Sequence, residues 1–462
     1  MNPINYLNNH ILKTYPSARL YVVGGSVRDK LLKKPISDVD IVITHLSRKD
    51  LEMLLKRYGT VKLVGKSFGV YKWMPFYPIS SAIPNIDIAL PRKEVGWGTG
   101  GRRDFTIQTD CALSIEEDLS RRDFTINAIA YDPNARRYID PFSGRKDLRK
   151  KIIKTVGNPT DRFTEDASRI LRALRFACQM RFTIHPSTWS AIQNHQLDIK
   201  KVAKEIAAKE FVKAISLAPS YAIHLFEKAG VLSLLIPEIL EMQRCRQPKR
   251  WHSEGTVWKH VKLALQKLEQ IKTISPPYDP NIVLALLFHD GGKPRARAKK
   301  GRRITFYGHD KIGAQIAGRV IKRLKLESAG VNKEHVQWLI RNHMILFSGD
   351  PQKMKNTTVE TYFLSDRHPS HHLLTLIECD ARATIPADPS KQKSLGGFKI
   401  IKKRIAEILR KPKRSLLNGD EIMKILGIPQ GVTVGKILIQ LREAELSGKV
   451  NSKIQARRFI KQ

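Results

Sequence analysis

The 462-residue chain is predicted to be an α+β protein, with a mixed α/β head to about residue 145 and helices from there to the end. Three observations carry this. The apolar run Leu20-Tyr21-Val22-Val23 reads as a buried strand entering a Gly24-Gly25 turn. Asp38-Val39-Asp40 leads into Ile41-Val42-Ile43, a second strand. Beyond residue 145 the apolar spacing becomes helical, in Ile170, Leu171, Leu174, Phe176 and Ala177 and again in Val202, Ile206, Phe211, Val212 and Ile215. Proline and glycine punctuate the connections, as at Gly157-Asn158-Pro159 and Ala218-Pro219.

Each early element has a chemical reading. Glycines after a strand let the backbone approach a phosphate, and the helix that follows, Ser26-Val27-Arg28-Asp29 onward, points its N–H groups at the anion. Residues two apart on a strand share a face, so Asp38 and Asp40 point the same way. Two carboxylates so placed repel unless a cation sits between them, and Mg²⁺ takes such oxygen ligands while bridging to substrate phosphates. Arg121-Arg122-Asp123-Phe124-Thr125-Ile126-Asn127-Ala128 adds a basic-acidic clamp. A lone double glycine is usually just a turn and a lone Asp-x-Asp a solvated strand end. In this order and context they point to a nucleotide site. A near copy, Arg102-Arg103-Asp104-Phe105-Thr106-Ile107, lies upstream beside Gly96, Gly98, Gly100 and Gly101, and is expected to be loop or strand, with the second copy forming the site.

Lys and Arg total 82 against 43 acidic residues, a formal charge of +39, concentrated at Lys293 to Arg303 and Lys399 to Arg414. A polyanionic partner, RNA in particular, fits this surplus, although a generally basic proteome would raise the charge too. The four cysteines, Cys111, Cys178, Cys245 and Cys379, show no paired spacing and read as reduced thiols. No signal peptide and no run near the ~20 apolar residues of a membrane span is found, so a soluble, cytoplasmic protein is expected.

With Asn85-Ile86-Asp87-Ile88-Ala89-Leu90-Pro91-Arg92 and the stretch from Asp161 to Arg172 added, the first half of the chain resembles the DNA polymerase β nucleotidyltransferase superfamily. More narrowly it resembles the bacterial class II tRNA nucleotidyltransferases (CCA-adding enzymes) and the bacterial poly(A) polymerases. The resemblance implies that Gly24, Gly25, Arg28 and Asp29 hold the triphosphate. It implies that Asp38 and Asp40 carry Mg²⁺, with Asp87 as a third carboxylate, and that Arg122 and Asp123, in one motif with Asn127, sense the ribose. Asp166 and Arg169 would pair with the incoming base. Three apart on a helix they would share a face, one accepting and one donating, as a Watson-Crick edge does. The same spacing also suits an ordinary ion pair. Arg172 and Arg175 extend that face, either toward RNA phosphate or into solvent. In the family a flexible loop, here between Pro91 and Asp118, is needed for the final A.

A second constellation runs from Trp251-His252-Ser253-Glu254 to His260, then to His289-Asp290-Gly291-Gly292-Lys293, His309, His343 and Asp380. His-Asp after an apolar helical run, with a distant His and Asp, resembles the HD metal-dependent phosphohydrolases. On that resemblance His260, His289, Asp290 and Asp380 bind one divalent metal (Mn, Ni, Mg or Fe), and His309 and His343 complete a second metal site or position a phosphate. The segment from Leu416 to Ile437 resembles the small helical tail of many CCA-adding enzymes. A helix opening at Val434-Gly435-Lys436 would offer N–H groups to phosphate.

The expected division is a nucleotidyltransferase head (1–145), a helical neck and body (146–245), an HD domain (246–385) and a basic tRNA-binding tail (386–462). The implied activity is template-independent addition of CCA to tRNA from CTP and ATP, with the HD domain either a phosphatase or 2′,3′-cyclic phosphodiesterase, as in some of the family, or only a support for tRNA, as in others. The tail-like segments weigh against a poly(A) polymerase, and the loop region between Pro91 and Asp118 favours competence for A. A-only or CC-only addition fits nearly as well. An HD-type RNA phosphohydrolase with a non-catalytic head is disfavoured by the Asp38/Asp40 pair, and a non-catalytic tRNA-binding factor stands as a further alternative. Neither membrane nor DNA partners are expected.

Overall fold

Strand pairing around Asp38 organises the head. The computed structural model describes residues 3–36, 38–64, 69–76, 85–96, 105–109, 111–301, 303–347, 349–366, 369–388 and 393–462. The strands are β1 (Arg19–Val23), β2 (Asp38–Thr44), β3 (Gly59–Val64), β4 (Val70–Pro75), β5 (Asn85–Ala89), β6 (Arg92–Gly96), β7 (Phe105–Thr109), β8 (Ala130–Asp132) and β9 (Arg137–Ile139). Seven of them form one sheet in the order β3-β4-β5-β2-β1-β8-β9, and β6 and β7 form a separate antiparallel pair. The β2–β5 step is parallel, with Asp40 opposite Asp87, whereas β1 runs antiparallel to β2, with Val23 opposite Asp40. Alternation along β2 buries Val39, Ile41 and Ile43. On the other face Val42 joins Val23, Ile115, Leu119, Ala128, Ala130 and Val156 in a core cluster, which leaves Asp38 and Asp40 at the polar end of that face.

The α+β class is thus observed. Among the described residues the region after 145 is helical but for short strand pairs, Ile152–Ile153 with Thr183–Ile184 and Ala298–Lys300 with Arg303–Thr305. The chain divides into two compact units, residues 1–214 with 224–234, and residues 215–223 with 235–462. In the first unit the helix Ser168–Met180 buries Ile170, Leu171, Leu174, Phe176 and Ala177, the predicted stripe. Asn158 caps the preceding helix, Pro159–Glu165, with proline in its first turn, a sequence-legible start.

In the second unit the helices Val257–Glu269, Pro280–Phe288, His309–Arg323, Lys333–Asn342 and Ser370–Ala383 surround a buried histidine cluster. The tail has its own core of Leu417, Ile422, Val434, Leu441, Ala444, Val450, Ala456 and Ile460. It is anchored to the helix Asn356–Phe363 by Glu443, which accepts from the Asn356 and Thr357 N–H groups at 3.0 and 2.8 Å, a side-chain cap on that helix's free donors. The tail helix opens at Val432 rather than Val434, with Gly431 as its cap, and Val434 turns inward to pack. The upstream Arg-Arg-Asp copy is strand at Phe105–Ile107, while Arg102–Asp104, Gly98, Gly100 and Gly101 lie outside the described residues. No described helix is long and apolar enough to cross a membrane.

Candidate active site and metal centre

Gly24 ends β1 with φ 73°, a conformation that favours glycine, and caps the helix Gly25–Leu31. A Cβ there would lie 3.0 Å from Asp40 Oδ2 and 3.1 Å from Arg122 Nη1, so the turn, the carboxylate and the guanidinium meet at one point. These groups line a cavity of about 690 Å³. Every predicted nucleotide-site residue lines it except Asp29: Gly24, Gly25, Arg28, Asp38, Asp40, Asp87, Arg122, Asp123, Asn127, Asp166, Arg169, Arg172 and Arg175 all do. Sequence reasoning missed Gln179 and Lys213 on its wall. A lysine within a helical stretch carries no signal of its own.

The acidic floor is built for a cation. Burial raises the Asp40 carboxyl above its ordinary value, Arg122 opposes this, and the nearby Asp87 and Asp38 charges raise it further. Asp87 Oδ1 is buried with no hydrogen-bond partner among the described residues, and the Lys72 ammonium stands 3.8 Å away. Three converging carboxylate groups, one with an unsatisfied oxygen, fit a hard divalent ion such as Mg²⁺.

Behind the floor runs a continuous chain of polar contacts. Arg28 donates to Asp29 through Nε at 2.9 Å and through Nη2 at 3.0 Å. Its Nη1 reaches Asn127 Oδ1 at 2.8 Å. Asn127 Nδ2 donates to Asp123 Oδ1 at 3.0 Å, and Arg172 donates to Asp123 Oδ2 at 2.9 and 2.5 Å. Burial alone would raise the Asp123 carboxyl, but Arg172, Asn127 and the Phe124 N–H together hold it below the usual carboxylate range. Arg175 pairs instead with the buried Glu210.

The expected helix face shared by Asp166 and Arg169 is not what forms. Asp166 terminates the helix Pro159–Glu165 in extended conformation, and its Oδ1 accepts from the Ser168 N–H at 2.9 Å, where the next helix begins. A short acidic side chain that bonds its own backbone breaks the helix here. Arg169 is held by Glu165 at 2.7 Å and by the Arg121 carbonyl at 3.1 Å. Both residues still line the cavity.

In the second unit all six predicted HD residues meet, and all are buried. His289 and Asp290 follow the apolar helix Pro280–Phe288, His309 opens its helix, and His343 closes the helix Lys333–Asn342. His260 Nε2 lies 2.9 Å from Asp380 Oδ1, and His289 Nε2 lies 3.7 Å from the same oxygen. Asp290 stands between two sets: its Oδ2 is 3.8 Å from His260 and 3.6 Å from His289, its Oδ1 3.5 Å from His309 and 4.0 Å from His343. The ligand atoms group as His260–His289–Asp380 and Asp290–His309–His343, with a third group, His252–Glu254–His260, sharing His260 with the first.

The outer ring explains the convergence. The Nδ1 atoms of His289, His309 and His343 bond the carbonyls of Leu286, Phe306 and Ile340 at 2.8, 2.8 and 2.6 Å, and His260 Nδ1 bonds Glu254 at 2.9 Å. Each ring thereby turns Nε2 inward, as metal-ligating imidazoles do. His289 Nε2 is left buried with no hydrogen-bond partner among the described residues, so the donor set fits a divalent metal. Burial would lower His260, but hydrogen bonds to Asp380 and Glu254 push it up to about 9, whereas burial beside His289 and His309 brings His343 down to about 4. Lys293 Nζ donates to Asp290 Oδ2 at 2.7 Å and Gln247 at 2.8 Å. Glu254 and Lys293 were within reach of sequence reading, lying inside the quoted segments, but nothing in their spacing revealed their partners.

Three stretches of the chain match known families. Residues 20–154 match the family described as the poly A polymerase head domain, residues 181–242 a probable RNA and SrmB-binding site of polymerase A, and residues 257–381 the HD domain. An A-adding tRNA nucleotidyltransferase of Deinococcus radiodurans is 33% identical over 359 residues, 75% of this chain and 79% of the relative. A multifunctional CCA protein of Herminiimonas arsenicoxydans is 31% identical over 312 residues, 67% of this chain and 69% of the relative. Among solved structures, the Bacillus stearothermophilus CCA-adding enzyme in complex with CTP has a TM-score of 0.63 at 22% identity, covering 100% of this chain and 98% of that one. The Thermotoga maritima CCA-adding enzyme complexed with tRNA has a TM-score of 0.64 at 19% identity, covering 99% and 94%. At those identities the structural likeness speaks for the fold.

Proposed function

Because the chain belongs to the class II tRNA nucleotidyltransferases that carry an HD domain, we propose that it adds C, C and A to the 3′ end of tRNA from CTP and ATP. The observation that supports this most is the meeting of Asp38, Asp40, Asp87, the Gly24 turn and an arginine wall in one cavity. The Gly24-Gly25 turn and Arg28 hold the triphosphate, and Asp38 and Asp40 hold Mg²⁺. Bound there, Mg²⁺ supplies charge neutralisation for the phosphates. The RNA 3′-oxygen attacks the α-phosphorus, the α–β bond opens and pyrophosphate leaves. Asp87, whose Oδ1 accepts no hydrogen bond among the described residues, takes the hydroxyl proton. Arg122, at the Gly24 turn, and Asp123 read the ribose with Asn127 of the same motif, and Asp166 and Arg169, backed by Arg172 and Arg175, read the base. We assign the enzyme to the cytoplasm with its tRNA.

The histidine cluster is read as a second, phosphohydrolase-type centre. His260, His289 and Asp380, with Asp290, His309 and His343, would hold one or two divalent ions, which would supply Lewis-acid chemistry for phosphoester hydrolysis. Release of inorganic phosphate from 3′-phosphorylated RNA, or opening of a 2′,3′-cyclic end, tests it. Loss of that release in Asp290→Ala is expected, and an unaffected rate would sink the assignment.

The transfer reading is tested with labelled CTP and ATP, separately and together, on tRNA ending at the discriminator base. Wild type and Asp38→Ala/Asp40→Ala are compared in Mg²⁺. Incorporation of C, C and A that disappears in the variant supports the proposal. The Deinococcus radiodurans relative named as A-adding favours a second reading, in which A alone is added to a CC-ended tRNA, and the separate-nucleotide lanes distinguish the two.

A further inference from the structure

Asp118 is fully buried beside the head cavity, yet it neither lines the cavity nor belongs to any motif that marks the site. It sits in the short helix Ile115–Ser120, which Ser114 and Glu117 open with a reciprocal cap. Ile115 and Leu119 of that helix pack with Val23 and Val42, on the sheet face whose polar end carries Asp38 and Asp40. The sheet therefore fixes where the Asp118 carboxylate stands.

Its two oxygens are divided between consecutive arginines. Oδ1 accepts from Arg121 Nε at 3.0 Å and Nη2 at 2.5 Å, and Oδ2 accepts from Arg122 Nη2 at 3.0 Å. A buried carboxylate needs this degree of pairing, and the pairing removes the freedom of both arginines. What Arg122 has left is informative. Its Nε is buried with no hydrogen-bond partner among the described residues, and its Nη1 lies 3.1 Å from where a Cβ on Gly24 would stand. That Nη1 lies where the backbone turn and Asp40 meet. Arg121, in turn, offers its carbonyl to Arg169 Nη2 at 3.1 Å.

We propose that Asp118 is a positioning residue for nucleotide binding. By gripping both arginines it aims Arg122 at the nucleotide beside the Gly24 turn and steadies the Arg121 residue whose carbonyl helps orient Arg169 toward the base. One buried carboxylate thus sets the groups at the Gly24 turn and at the base together, before nucleotide arrives, so less ordering is left for the binding step. The inference rests on the nucleotidyl-transfer reading, and its test is kept apart from that reading.

Equilibrium dissociation constants of Mg²⁺-CTP and Mg²⁺-ATP are measured on the full chain for wild type, Asp118→Asn, Arg122→Ala and the double variant, with melting temperatures alongside. Asp118→Asn is expected to weaken both nucleotides roughly tenfold while remaining folded at the assay temperature. Because Asp118 acts through both arginines, Asp118→Asn is expected to weaken binding less in the Arg122→Ala background than in wild type, so that the double variant falls short of the summed penalties. In turnover assays KM should rise with kcat nearly unchanged, and discrimination of CTP against UTP should narrow as Arg169 loses its anchor. A folded Asp118→Asn with wild-type dissociation constants overturns the proposal, as do penalties that simply add in the double variant. Should Asp118→Asn be melted under assay conditions, Asp118→Glu, which keeps the charge but moves it by one methylene, carries the same expectation. A wild type that binds nucleotide but incorporates none overturns the transfer reading and leaves the dissociation constants to decide on Asp118.

Discussion

The head cavity and the histidine cluster both gather charged side chains from distant segments, yet they satisfy them in opposite directions. In the cluster every imidazole spends Nδ1 on a carbonyl or on Glu254, and Nε2 atoms and carboxylates converge on a small closed interior. In the head the bonds run along the wall, from Asp29 through Arg28, Asn127 and Asp123 to Arg172, and a cavity of about 690 Å³ is left in front of them. The first arrangement suits small ions that stay. The second suits a large anion that enters and leaves at every turnover, because its supporting groups remain paired when it is gone.

That contrast can be broken by substitutions confined to one site. The largest expected effect is Asp40→Ala, which should lower nucleotide incorporation by at least about 10³-fold while the metal content of the second unit, read by elemental analysis after dialysis, stays unchanged. The reciprocal variant, His289→Ala, should lose retained metal and keep incorporation within about twofold of wild type. If either variant disables both sites, the contrast fails.

Glu254→Gln sharpens it. The carboxylate orients His260 without belonging to either ligand group that contains Asp380 or Asp290, so divalent-ion affinity measured by titration should fall about 10- to 100-fold. In the head, Gly24→Ala places a methyl against Asp40 and Arg122 at a positive φ, at a cost of about 1–3 kcal/mol, which should appear as a raised KM for nucleotide.

The smallest effect concerns stability. Burial alone would raise the Asp118 carboxyl, but Arg122 and Arg121 hold it below its ordinary value of 3.8. A depressed folded-state value means stabilisation that is complete above the unfolded value and is lost as pH falls through the folded one. The gap in melting temperature between wild type and Asp118→Asn should therefore be steady from pH 5 to 7 and close below about 3.8. A gap that widened in acid would contradict the ion-pair account.

Much of this was legible in the chain itself. Strand alternation put Asp38 and Asp40 on one face, the apolar run ahead of Gly24 marked the turn, and the stripe from Ile170 to Ala177 marked the helix behind the site. The pairing of Asp40 with Asp87 depends on which strands become neighbours, a long-range outcome that spacing cannot express. The helix break at Asp166 was misread as continuous because an i, i+3 pattern is blind to a side chain that bonds its own backbone. The histidine cluster was reached by resemblance, since its members come from five separate helices and their flanks. Asp118 and Glu254 escaped notice because their partners are supplied by tertiary packing and not by neighbours in the sequence.

The wall of the head also constrains how such a protein can change over generations. Asp29, Arg28, Asn127, Asp123 and Arg172 form a row in which charged members of opposite sign are joined directly or through one amide. Reversing the charge of Arg28 or Asp123 by a single substitution would set like charges side by side in a buried row, so inherited change there is expected to come in compensating pairs. Gln179 and Lys213 lie on the cavity wall outside that row. Substitution at positions of that kind leaves the row paired.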